Sequence, residues 1–323
     1  MLHNAQQYPG VYFPLVNEGH MMSSVTPWLA GDCKTDQNHF LLAPASMETL
    51  HESRATRNLW LLSPGGKPWS VTGQSAYQAS LRGSADAEET VLTGGLLWQK
   101  LARRQVKTGL LAETLSFVPA GQHRVEILQL TLTNKGAEPL TVTPVAAIPL
   151  YGRSAENIRD HRHVTSLLQR VKLVPYGVEL RQTLTFDERG HQPGDTVYRV
   201  FAADDQGRPP EKFMPRVSDY VGSGSYDWPD ALLEPDRSAF QIAGGQAQGG
   251  EMIAAMWFAQ TVLPVGESRQ YQVVMTIDDD PMPYLSPQAA ADALEETKAW
   301  WQAEVCQRVT LQSCAFGAWA AWV

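Results

Sequence analysis

The chain has 323 residues, is 43% hydrophobic and 19% charged, and carries a formal net charge of -8. That size and apolar content suffice for a large core, and an acidic balance without a basic stripe excludes a nucleic-acid or anionic-membrane surface as the expected partner. Three cysteines, Cys33, Cys306 and Cys314, are odd in number and lack paired spacing, so neither a disulfide framework nor a zinc site is expected, and a reducing cytoplasm is the expected compartment.

The first residues, MLHNAQQYPGVYF, have no basic segment followed by an apolar one, and no apolar run approaches the ~20 residues of a spanning helix. Between Trp28-Leu29 and the apolar Phe40-Leu41-Leu42 lies a polar cluster of Asp32, Lys34, Asp36, Gln37, Asn38 and His39. These side chains can bracket a sugar by hydrogen bonds. A calcium loop is not expected, because glycine is missing at the sixth position and no glutamate closes the loop at the twelfth. Trp28 and Trp228, each beside a proline in polar surroundings, are candidates to stack on a pyranose face, whereas Trp60 and Trp257 sit in apolar runs and read as structural.

From His123 to Thr133 the residues alternate, with Leu128, Leu130 and Leu132 opposite Gln129, Thr131 and Thr133. Asn134-Lys135-Gly136 then supplies turn chemistry before the apolar Leu140 to Leu150, and the expectation is a β-hairpin. Next comes the densest polar group in the chain, Arg159-Asp160-His161-Arg162-His163, with Arg153 and Glu156 just ahead of it. Paired guanidinium donors and imidazoles can bind sugar hydroxyls, a carboxylate or phosphate; the alternative is a solvated loop whose charges pair locally. Val178, Leu180 and Leu184 alternate with Glu179, Arg181, Thr183 and Thr185, and Tyr271, Val273, Met275 and Ile277 with Gln272 and Thr276. Gly222 to Gly224 and Gly244 to Gly250 are expected as mobile loops.

Many strands without regular helix alternation predict a mainly β protein, a large antiparallel sandwich over residues 1–280. Residues 281–323 predict a helical linker: Ser286 caps, Pro287 takes the first position, and a long helix follows with Leu294, Trp301 and Val305 on one side. Phe316, Trp319 and Trp322 would line a second helix that stops at Val323 with nothing to cover it, so a further domain is expected to follow. No GxSxG, P-loop, GxGxxG or HExxH motif occurs, so no catalytic residue is assigned.

Three stretches together resemble the N-terminal half of glycoside hydrolase family 94, formerly glycosyltransferase family 36, and most of all its 1,2-β-oligoglucan phosphorylases: Tyr12 to Pro44, NIRDHRHVTSLLQR from Asn157 to Arg170, and the terminal VTLQSCAFGAWAAWV. The resemblance implies a galactose mutarotase-like super-sandwich, a helical linker and then an (α/α)6 barrel carrying the chemistry, with the barrel beyond Val323. It implies an enzyme in which inorganic phosphate, as co-substrate, attacks a β-glucan and one carboxylic acid protonates the leaving oxygen, with no cofactor. It further implies that the sandwich forms a homodimer and lends a loop to the substrate cleft. The candidate substrate-binding residues are then Arg159, His161, Arg162, His163, Asp32, Lys34 and Trp28, with no metal. Two alternatives remain: a stand-alone carbohydrate-binding or dimerisation module, and a mutarotase-like epimerase using His161 or His163 with Glu179.

Overall fold

The computed structural model describes residues 1–8, 10–46, 55–159, 161–234 and 239–304. Two antiparallel sheets stack face to face. The larger has ten strands, in the spatial order Leu2–His3, Thr90–Gly95, Trp98–Arg104, Leu110–Phe117, Val125–Asn134, Ser268–Ile277, Val197–Asp204, Gly177–Gln182, Gln169–Val174 and Gln246–Gln248. The smaller runs Lys212–Arg216, Met252–Trp257, Leu140–Leu150, Asn58–Leu62 and Trp69–Ser70, with Thr261–Leu263 also paired to Leu140–Leu150. The expected mainly β, large antiparallel sandwich is the architecture of the chain.

Alternation decides which side chains fill the space between the sheets. Leu128, Leu130 and Leu132, Val178 and Leu180, and Tyr271, Val273, Met275 and Ile277 all enter the principal core, where they meet Ala146, Ile148, Leu150, Met252, Ala254 and Met256 of the smaller sheet. Central strands of the smaller sheet are apolar on both faces because their outer side chains, Trp60, Val145, Ala147, Met214, Ile253, Ala255 and Trp257, form a second cluster with Tyr220, Ala231 and Leu232. Outside the larger sheet lies the Pro287–Glu304 helix. Ser286 Oγ accepts the Ala289 N–H at 3.1 Å, as its capping role requires, and Ala290, Ala293 and Leu294 pack on Phe117, Ile127, Phe201 and Val274. Val305, Phe316, Trp319, Trp322, Cys306 and Cys314 lie outside the described residues.

Three expectations need correction. Val125–Asn134 and Leu140–Leu150 are not a hairpin: the first pairs with Leu110–Phe117 and Ser268–Ile277, the second with Met252–Trp257 and Asn58–Leu62, so Asn134 to Gly136 carries the chain from one sheet to the other. Turn chemistry fixes a reversal but not the sheet in which the chain resumes. The Gly244 to Gly250 stretch is not simply a loop, since Gln246–Gln248 pairs with Arg170, Val171 and Lys172 at the sheet edge. Leu184 leaves the strand it was read into and starts a separate two-stranded hairpin, Leu184–Asp187 with Gly190–Pro193.

Among the described residues no helix is long and apolar enough to cross a membrane.

Candidate functional site

At one end of the sandwich three segments distant in sequence meet. The chain leaving Leu150 runs beside the small four-stranded sheet formed by Phe13–Val16, Met22–Val25, Cys33–Lys34 and Phe40–Leu42. Tyr151 N–H donates to Leu41 O at 2.8 Å, Phe40 N–H to Arg153 O at 3.1 Å, and Ala155 N–H to Gln37 O at 2.8 Å. Ser154 Oγ adds bonds to Gln37 O and Asn38 Oδ1, both at 3.3 Å. From across the end, the Leu184–Asp187 hairpin closes on both: Asn38 Nδ2 donates to Glu188 Oε1 at 2.9 Å, and the Phe186 ring stacks on His161 at 5.5 Å between centroids. The two polar clusters of the sequence are therefore joined through the 153–158 segment.

Beneath the Arg162–Leu167 helix lies a cavity of about 210 Å3, walled by Leu150, Met252, Pro149 and Val217 and edged by Tyr151, Tyr226, Arg162 and Glu251. Arg153 is its strut. Its side chain is 1% exposed, its Nη2 meets Glu251 Oε2 at 2.6 Å, its Nη1 donates to Arg162 O at 3.0 Å, and its guanidinium lies 4.3 Å from the Tyr151 ring centre. Such a planar stack on an aromatic face is a favoured guanidinium geometry. Burial pushes the Tyr151 hydroxyl up to about 12 against the pull of Arg153 and Arg162, so it stays protonated, donating to Ser154 O at 2.9 Å. Arg162 Nε sits 3.3 Å from Glu251 Oε1, and its two Nη groups have no protein partner among the described residues.

The expected residues take different places. Arg159 and His163 are exposed, Arg162 edges the cavity, and His161 adopts a left-handed φ of 58° that turns its ring onto Phe186. Asp160 lies outside the described residues. Asp32 is buried, its carboxylate receiving Ser24 Oγ at 2.6 Å and Lys34 Nζ at 3.0 Å, while Lys34 leans over the Phe40 ring. Trp28 is only 8% exposed and edges a second cavity, of about 260 Å3, with Gln78, Arg82, Glu88 and Arg103. Trp228 is half-buried and its backbone closes a turn with Ser225. Glu179 pairs with Arg199 at 2.8 Å on the face opposite Val178 and Leu180, whereas the His161 ring stacks on Phe186. Among the described residues no group of three or more His, Cys, Asp or Glu could hold a metal ion.

Sequence reasoning missed Glu251, Tyr151 and Tyr226. The one available signal is Glu251 itself, a lone carboxylate between a Gly-Gly pair and an eight-residue apolar run.

The hairpin over this end is fixed by charge. Asp187 accepts two bonds from Arg189 Nε and one from its backbone N–H, and these bonds hold its carboxyl below the usual 3.8. A depressed carboxyl contributes stability that is present above about pH 4 and is lost as pH falls through the folded value. Asp187→Asn should therefore loosen the hairpin at neutral pH, raising tryptic cleavage after the half-exposed Arg189 by about threefold or more if local opening governs the cut. Equal cleavage of the two proteins would show that the ion pair does not hold the hairpin.

No family model matches the chain, and no curated protein matches its sequence. Solved structures similar to it include a GalM/aldose epimerase homologue of C. elegans, with 10% identity, 83% of this chain and 98% of that one covered, and a TM-score of 0.44. A bacterial glucoamylase complexed with acarbose shares 9% identity over 89% of this chain, with a TM-score of 0.46. A GH36 α-galactosidase of Geobacillus stearothermophilus shares 13% over 85%, with a TM-score of 0.35. The chain spans 34% of the glucoamylase and 42% of the α-galactosidase.

Proposed function

We propose that this chain is the non-catalytic sandwich and linker of a cytoplasmic, inverting β-glucan phosphorylase, and that its Arg159 to His163 segment borders the glucan cleft. One observation carries the reading. The Tyr12 to Pro44 stretch, which bears part of the sequence resemblance, is bonded through Gln37 and Asn38 to Ser154 and Ala155, the residues that lead into the Asn157 to Arg170 stretch. Residues set apart in sequence thus build one polar end, where Arg159, Arg162 and His163 present donors to whatever approaches.

The division of labour follows from what such a reaction needs. Phosphate attacks the anomeric carbon, so no general base has to deprotonate water, and one protonated carboxyl must serve the leaving oxygen. In this reading that carboxyl is supplied by a catalytic barrel, not by the sandwich. The sandwich supplies orientation: guanidinium forks and imidazoles hydrogen-bond hydroxyls and hold a sugar chain in register. A homodimer through the sandwich belongs to the same proposal.

The test is release of α-glucose 1-phosphate from β-1,2-, β-1,3- and β-1,4-oligoglucans with inorganic phosphate, by this chain and by the longer protein. The longer protein should turn over one linkage and this chain none. Arg159→Ala with His161→Ala in the longer protein should raise KM about tenfold, the scale of one or two charge-assisted hydrogen bonds. Turnover by this chain alone overturns the reading, and unchanged kinetics in the double variant remove the segment from the cleft.

A further inference from the structure

The Arg153, Arg162 and Glu251 cluster at the edge of the cavity has an unbalanced charge. Arg153 and Arg162 both converge on Glu251, one on each carboxylate oxygen, at 2.6 and 3.3 Å. Two guanidinium groups share one carboxylate; Arg153 does not itself line the cavity, and among the described residues that do, only Arg162, Glu251 and two tyrosines are ionisable. Tyr151 is held protonated, so it cannot supply the missing negative charge. One positive charge is left over in that cluster, at a rim where the Arg162 side chain is 31% exposed, and the apolar walls Leu150, Met252, Pro149 and Val217 strengthen its field at the mouth.

The donors match that charge. Arg162 spends only Nε on Glu251 and keeps both Nη groups without a protein partner among the described residues, a fork whose spacing suits two oxygens of one oxyanion. Arg153 Nε is buried with no partner among the described residues, in a side chain that is 1% exposed and adjoins the cavity through Glu251 rather than lining it. A buried guanidinium N–H without an acceptor is uncommon, since buried donors are nearly always paired.

We infer that this cavity binds a phosphate-class oxyanion, free or as the ester of a sugar, with Arg162 as the gripping residue and Glu251 as the carboxylate that sets the strength of the grip. The inference goes beyond the glucan reading and does not depend on it. A neutral sugar would use Glu251 as an acceptor; an oxyanion is repelled by it. The sign of one substitution separates the two.

The experiment is titration calorimetry of the purified chain in phosphate-free, low-salt buffer, with inorganic phosphate, α-glucose 1-phosphate and a β-1,2-oligoglucan, against chloride at matched ionic strength. Phosphate should bind saturably, Arg162→Ala should weaken it at least tenfold, and Glu251→Gln should tighten it by about three- to tenfold, as expected for removing a like charge near a surface site. Tighter binding of the sugar ester than of free phosphate would identify the ester as the source, and the reverse order the free ion. Should Glu251→Gln not fold, Arg162→Lys takes its place: it keeps the charge but loses the fork, and should weaken phosphate binding at least threefold. Unsaturable phosphate heat, or phosphate binding unchanged in Arg162→Ala, overturns the inference. So does weakened oligoglucan binding in Glu251→Gln with no phosphate binding in the parent, an outcome that leaves the glucan reading standing.

Discussion

Glu126→Ala is expected to destabilise the chain by about 3–5 kcal/mol, because it strands a guanidinium inside the protein. Arg57 and Glu126 are both wholly buried, and the pair is two-pronged: Arg57 Nε donates to Oε1 at 2.5 Å and Nη2 to Oε2 at 2.9 Å. Ser23 Oγ donates to the same carboxylate at 2.5 Å, and the remaining guanidinium donors reach Leu29 O, Gly31 O and Asp32 O at 3.0–3.3 Å. One ion pair thereby fastens the larger sheet, the lead-in to Asn58–Leu62, and the turn between Met22–Val25 and Cys33–Lys34. Burial, then the adjacent carboxylate, pushes the Cys33 thiol well up, so no second anion forms there. An apolar pair such as Arg57→Met with Glu126→Leu should recover much of the loss. Leu29 O also accepts the Arg57 N–H and Asp32 O the Ser24 N–H, leaving Gly31 O as the carbonyl without a replacement donor. Urea unfolding midpoints of the single and double variants check this. A single variant within about 1 kcal/mol of the parent would show that the pair does not hold this end together, since breaking such a pair should cost several times that.

That pair was partly legible. Glu126 has the parity of Leu128, Leu130 and Leu132, so a carboxylate was written onto the core face of a strand, and a buried charge demands a partner. Nothing in the sequence said that the partner was Arg57, because two-residue periodicity fixes a face and not a neighbour. The same limit explains the crossover after Asn134. Its turn residues were read correctly, whereas long-range pairing chose the sheet. The edge strand Gln246–Gln248 escaped notice because three residues between glycine pairs carry no period to detect. For the candidate site, Arg159 to His163 stood out by density alone, and Arg153 was noticed only as its neighbour. The carboxylate that organises both Arg153 and Arg162 lies 98 positions beyond Arg153, a distance over which composition and spacing carry no information.

Gly31→Ala should be the other severe change, by about 2–4 kcal/mol, from backbone strain added to a steric overlap. Gly31 has φ +123°, a region that side chains rarely adopt, and a Cβ there would overlap the Ser24 carbonyl oxygen. The turn cannot move aside easily. Residues 25–33 are all buried, Thr26 Oγ1 accepts the N–H groups of Trp28 and Ala30, Gln99 Nε2 donates to Thr26 O, and Ser24 N–H pairs with Asp32 O. Shifting Ser24 would also disturb its hydroxyl bond to Asp32 and, through the Gly31 and Asp32 carbonyls, the seat of Arg57. Gly65→Ala is the matched control: its φ is +68° with nothing near the added carbon, so it registers strain alone, about 1 kcal/mol. The gap between the two thermal midpoints measures the overlap. Equal midpoints would mean that the turn absorbs the added carbon, and that the packing of this buried loop does not fix the position of Asp32 and Arg57.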